Sequence, residues 1–199
     1  MKQKKDNLLI VIGGPGGSGS STISKMLSDY FNIPRIYAGD LFREEAKEQD
    51  YKSFEEFLQD ISNGGNSLDL EIDNLLSEYA KMGNVLIESK IFGALIKERD
   101  IPHTVTIWID ANLNTRVDRQ LKKEGASGFK KILKKWSIKK KLKKRYSIDK
   151  EKYMRLYNIH YDKPQKYYDI VLDTSRLNEV DTFNLILEEL KNGGYIKDR

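Results

Sequence analysis

The chain has 199 residues, 39% hydrophobic and 33% charged, enough for one domain with a full apolar core. It has no cysteine, which excludes a disulfide framework and thiolate metal sites. Its longest apolar runs are strand-sized, well short of the ~20 residues that span a bilayer, and the run after the charged N-terminus is too short for a signal peptide. A cytoplasmic protein is expected. The formal net charge of +5 is unevenly spread, with most of the excess between Lys122 and Arg145.

In chain order, Leu8 to Ile12 predicts a buried strand, and Ile23, Met26, Leu27, Tyr30 and Phe31 at helical spacing predict a helix. Between them lies Gly13-Gly14-Pro15-Gly16-Gly17-Ser18-Gly19-Ser20-Ser21-Thr22. Glycines let the backbone curl until several N–H groups point into one concavity. The helix N-terminus behind them adds positive dipole character, so the stretch suits phosphate oxygens. Ser21 stands where the phosphate-loop pattern places a hydroxyl for magnesium, whereas Ser20 stands where that pattern has its lysine. The loop keeps its shape and loses a point charge.

Arg35 to Ala38 is a short strand candidate, and Gly39-Asp40 opens a helix through Ala46. Ser53 to Glu56 reads as a capping box starting a helix that carries Phe57, Leu58 and Ile61. Asn63 to Asn66 reads as a loop, and Leu68, Ile72, Leu75, Leu76 and Tyr79 predict a helix from Ser67 to Lys81. Val85 to Ile87 and Val105 to Ile109 are strands, the second ending at Asp110. Asn112 to Lys123 is helical, Tyr168 to Asp173 is the last strand, and Val180 to Leu190 the closing helix. Strands alternating with helices predict a parallel sheet of five strands with helices on both faces. Such sheets bind ligands beyond the carboxyl ends of their strands, where the glycine loop, Asp40, Glu88 and Asp110 all fall.

Arg43 lies three residues beyond Asp40, so the two share a helix face, either as an anion clamp beside a carboxylate or as an exposed ion pair. Lys90 follows Glu88-Ser89 at the same sheet edge. Arg116 and Arg119 share a helix face, where a solvated pair is the default. Asp69 and Asp73, at i and i+4, repel mildly and matter more if they line a pocket. From Phe129 to Tyr146 the chain is a basic amphipathic stretch, with its apolar stripe breaking phase near Ser137. Three readings compete: a nucleic-acid or acidic-membrane surface, a solvated charged face, and a cationic lid over phosphates. Only the lid explains why the run interrupts a nucleotide fold between the strand at Val105 to Ile109 and the last strand. His103 and His160 sit in separate loops and read as bystanders.

Taken together, these stretches resemble the nucleoside monophosphate kinases, most closely the small archaeal-type cytidylate kinases. The matching pieces are Ile12 to Thr22, Tyr37 to Glu44, Ala80 to Glu88, Ala111 with Arg116 and Arg119, Lys152 to Ile159, and Tyr168 to Ser175. They span nearly the whole chain. In that family an Ala-Gly-Asp-hydrophobic-Phe-Arg run ends in the arginine that holds the acceptor phosphate, and Arg43 matches it. The arginine after the family's Glu-Gly pair is here Lys90, its Ile-Asp-Arg is Leu68-Asp69-Leu70, and Arg145 is the nearest match to a lid arginine.

The resemblance implies a three-layer α/β phosphate-loop domain spanning 1–199. Its core would be 7–39, 83–124 and 158–199, with a helical acceptor-binding insertion at 40–82 and a lid at 125–157. It implies ATP and Mg2+ as donor and cofactor, and CMP or dCMP as acceptor. Gly14, Pro15, Gly16, Gly17, Ser18, Gly19, Ser20, Ser21, Thr22 and Arg119 would bind ATP, with Ser21 on the metal. Arg43, Lys90, Asp69, Asp73 and Asp40 would serve the acceptor, Asp40 also ordering the metal. Arg116 and Arg145 would neutralise charge during transfer. A monomer is expected, with no membrane or nucleic-acid partner. Because Ser20, Leu70 and Lys90 each lose or weaken a phosphate contact, a weak or silent nucleotide-binding relative, using its lysines on RNA, is the alternative.

Overall fold

The computed structural model describes residues 7–53, 56–57, 60–61, 67–125 and 129–196. Five strands form one sheet: β1 (Leu9–Gly13), β2 (Arg35–Tyr37), β3 (Val85–Glu88), β4 (Val105–Asp110) and β5 (Ile170–Asp173). The order is β2-β3-β1-β4-β5, and every pairing is parallel. β1 is central and buried on both faces, which is why it reads as an unbroken apolar run. The register sets Ile12 opposite Glu88 and Gly13 opposite Trp108. The glycine loop therefore leaves the middle of the sheet at its carboxyl edge, the place expected for a ligand.

The longer helices among the described residues are α1 (Ser20–Phe31), α2 (Ala38–Glu48), α3 (Ser67–Met82), α4 (Phe92–Glu98), α5 (Leu113–Lys123), α6 (Phe129–Tyr157) and α7 (Glu179–Asn192). One face of the sheet packs Ile10, Ile12, Ile107 and Ile109 against Ile23 and Leu27 of α1 and Ile186 and Leu190 of α7. The other packs Leu9, Val11 and Ile87 against Ile72 and Leu76 of α3 and Phe92, Leu95 and Ile96 of α4. Truncating a fully buried member such as Leu27 to alanine would cost about 2–5 kcal/mol.

Three elements differ from the sequence expectation. α2 begins at Ala38, so Gly39 and Asp40 lie inside its first turn instead of opening it. A Cβ on Gly39 would meet the Tyr37 ring at 2.5 Å, so a side chain there would displace that ring. α4 escaped the pattern because Phe92 to Ile96 are buried all round, leaving no polar face to reveal a helical period. The basic stretch is one helix of 29 residues, α6, running past Ser137 without a break. Its phase change is real in burial: Ile132, Leu133 and Trp136 are about two-thirds exposed, while Ile138 and Leu142 pack on Val117 and Leu121 of α5.

Capping at Ser53 holds, its hydroxyl accepting the Glu56 N–H at 3.1 Å. Phe54, Glu55, Leu58 and the loop from Asn63 to Asn66 lie outside the described residues. Asn112 caps α5 and Asn178 caps α7, each accepting a backbone N–H three residues on. His103 Nδ1 lies 2.9 Å from the Ile101 carbonyl oxygen, away from the glycine loop's edge.

Candidate active site

The loop from Gly14 to Gly19 joins β1 to α1, and Ser20, Ser21 and Thr22 form the helix's first turn. Gly19 is the N-cap with φ 101°, a left-handed conformation that a side chain resists. A Cβ on Gly14 would meet the Ile109 carbonyl oxygen at 2.3 Å, so that glycine lets β1 and β4 close beneath the loop. The Ser18 hydroxyl is buried and has no partner among the described residues.

A hydroxyl cluster gathers on one carboxylate at the end of β3. Ser21 Oγ donates to Glu88 Oε1 at 2.5 Å, Ser20 Oγ reaches the same oxygen at 3.4 Å, and Ser24 Oγ donates to Oε2 at 2.7 Å. Glu88 is 3% exposed, and Arg35 at the start of β2 pairs with it. The sequence sets Glu88 at the sheet edge without marking a role for it, and nothing in the pattern singles out Arg35. The available signal was a charged residue ending an otherwise apolar strand.

The arginines of α5 brace the loop through its carbonyls. Arg116 Nε donates to the Gly16 oxygen at 2.8 Å, and its guanidinium lies 5.9 Å from the Tyr146 ring centroid on α6. Arg119 donates to the oxygens of Ser18 (2.5 Å), Thr174 (2.7 Å) and Leu177 (3.1 Å). Both are therefore integral to the loop's shape, not a solvated pair. Leu142, Arg145, Tyr146 and Asp149 of α6 line a small cleft with Pro15, Gly16 and Arg116. The structure thus brings Arg116 and Arg145 to one cleft beside Pro15 and Gly16 of the loop.

On α2, Arg43 pairs with Asp40 at 2.5 Å, and its guanidinium lies 5.1 Å from the Tyr37 ring centroid. Asp40 and Arg43 are both well exposed on α2, whereas the carboxylate at the loop is Glu88. Lys90 is paired with Asp149 of α6, and burial pulls its ammonium down to about 8 against the opposing pull of that carboxylate. Asp69 and Asp73 are buried and tied to α6: Lys152 Nζ donates to Asp69 at 2.7 Å, and Tyr157 OH to Asp73 at 2.5 Å. Burial raises Asp73 to about 6, with the Tyr157 bond opposing and the Asp69 charge reinforcing the rise. Asp149, Lys152 and Tyr157 are partners that sequence spacing alone did not show.

Residues 12–134 match a family model described as an AAA domain. A cytidylate kinase of Methanocaldococcus jannaschii is 33% identical over 93% of this chain and 98% of its own length. One from Pyrococcus horikoshii is 32% identical over 92% of this chain and 88% of its own. Among solved structures, an uncharacterized protein from Eubacterium ventriosum superposes with a TM-score of 0.66 at 19% identity, covering 92% of this chain and 98% of that one. Shikimate kinase from Bacteroides thetaiotaomicron gives 0.55 at 16%, covering 92% and 97%. The two structures agree with a parallel α/β phosphate-loop fold.

Proposed function

From the premise that the chain belongs to the cytidylate kinase family, we propose that it transfers the γ-phosphoryl group of ATP to a nucleoside monophosphate, with CMP or dCMP preferred. The observation that carries this reading is the strand–glycine loop–helix unit, with Ser21 held on Glu88 and a cleft lined by Arg116 and Arg145 above it.

Phosphoryl transfer depends on positioning and charge neutralisation more than on covalent chemistry. Backbone amides from Gly14 to Ser21 would cradle the donor phosphates. Ser21 gives its proton to Glu88, so its oxygen lone pairs remain for a cation. A hydroxyl beside a carboxylate is a hard-oxygen donor set that fits magnesium, and Ser21 with Glu88 would hold it. Bound magnesium supplies charge neutralisation on the transferring phosphates. Arg116 and Arg145 would offset developing charge, with Arg119 fixing the loop. Arg43 would hold the acceptor phosphate. Lys90 would join it on exchanging Asp149 for phosphate, with Asp40, Asp69 and Asp73 on the acceptor side. Residues 40–82 act as the acceptor insertion and 125–157 as the lid in this scheme.

The test is ADP formation in a coupled assay with CMP, dCMP, UMP and AMP in turn. CMP or dCMP should give the highest kcat/KM. No ADP above the ATP-only rate with any acceptor would refute the proposal.

A further inference from the structure

A phosphate loop of the usual pattern has a lysine after its last glycine, and here that place is Ser20. Ser20 Oγ lies 3.4 Å from Glu88 Oε1, so a longer side chain rooted at residue 20 would reach the same carboxylate. Glu88 is almost fully buried, and a carboxylate at that depth is destabilising without a charged, hydrogen-bonded partner. That partner comes from another element. Arg35 Nε–H is shared between Ser24 Oγ at 2.8 Å and Glu88 Oε2 at 3.0 Å, and a second guanidinium nitrogen also pairs with Oε2.

We infer that the cation missing from the loop has been relocated to β2. Arg35 is a positioning residue that holds Glu88, and through it the hydroxyls of Ser20, Ser21 and Ser24, ready for the nucleotide. Its kinetic consequences rest on the kinase reading above; its structural consequences do not. Three features make the relocation specific. Glu88 divides its oxygens, taking Ser20 and Ser21 on Oε1 and Ser24 with Arg35 on Oε2. Ser24 donates its one proton to Glu88 and accepts from Arg35, so removing the arginine disturbs the hydroxyl as well as the charge. The Tyr37 ring, with its centroid 4.8 Å from the guanidinium, also contacts Arg43, so the relocated charge sits between the donor loop and the acceptor arginine.

The experiment is a swap among four proteins: the parent, Ser20→Lys, Arg35→Ser, and the double variant. Each is followed by thermal unfolding, by ATP-Mg titration at a temperature where it is folded, and by turnover with CMP. Arg35→Ser leaves a buried carboxylate unpaired and should lower Tm by about 10 °C. It should also weaken ATP-Mg binding about tenfold, which a residue serving stability alone would not do in folded protein. In the double variant the lysine finds the vacated carboxylate and recovers most of both losses. In the parent the same lysine meets a carboxylate already paired, so its effect on Tm is small; this non-additivity is the signature. A Tm change from Ser20→Lys that is equal in the two backgrounds overturns the inference. So does a double variant as unstable as Arg35→Ser alone, even if that single variant fails to fold. If the parent shows no turnover with any acceptor, the kinase proposal falls while the Tm cycle still decides Arg35.

Discussion

Asp73 offers a test of the packing between α3 and α6 that needs no substrate. Its carboxyl is buried beside Asp69 and accepts the Tyr157 hydroxyl, and its pKa rises from 3.8 to about 6. A carboxyl whose pKa is raised on folding favours the folded state while protonated. That contribution is complete below the unfolded value and is lost as pH climbs through the folded one. The window is therefore about pH 4 to 6. The shift of roughly two units corresponds to about 3 kcal/mol, or about 6–12 °C of Tm for a chain of this size. Asp73→Asn keeps an oxygen acceptor for Tyr157 and removes the ionisation. Melting both proteins from pH 4 to pH 7 isolates the residue, because every other titrating group is common to the pair. The Tm of the variant minus that of the parent should rise by about 6–12 °C across the window. A difference that stays constant would refute the burial argument, and one that falls would reverse its sign.

The remaining predictions concern the proposed substrates. Arg43→Ala should raise KM for CMP about ten- to hundredfold, the equivalent of a charge-assisted phosphate contact, and leave KM for ATP nearly unchanged; equal effects on both in steady-state kinetics would contradict the assignment. Hydrogen exchange across residues 131–157 should slow when a bisubstrate dinucleotide fills the site, as a lid requires. Unchanged exchange together with salt-sensitive RNA binding would favour the nucleic-acid reading of the lysines.

The core fold was legible because its strands are strongly apolar and its turns carry glycine or asparagine. β1, β3 and β4 are apolar runs, and Gly83 and Asn84 with positive φ punctuate the chain after α3. The loop was legible for the same local reason. What escaped depends on distance in sequence. Glu88 and Arg35 are 53 residues apart, Lys90 and Asp149 are 59 apart, and Asp73 and Tyr157 are 84 apart. Periodicity can place each on a face, but only the packing of β2 on β3 and of α6 near α3 reveals the partner. Arg116 and Arg119 share a helix face as their spacing predicts, yet the carbonyls they bind lie in a loop about 100 residues earlier and, for Arg119, also at Thr174 and Leu177 more than 50 residues later.

Helix α6 has a mechanical consequence. Polar ties at Asp149, Lys152 and Tyr157 fix its C-terminal half like a clamped beam, while the end near Ile132 extends away from them. At 1.5 Å per residue that end lies about 30 Å from the clamp and Arg145 only about 6 Å. A tilt of about 10° would swing the tip by about 5 Å and Arg145 by about 1 Å. The helix also bears on α5 through Ile138 and Leu142, so such a tilt must slide along that seam or carry Arg116 and Arg119 with it. Any excursion of the basic tip would thereby be geared down to a small adjustment of the arginines beside the loop, and it would first have to break the Lys134–Glu124 and Lys135–Asp118 pairs.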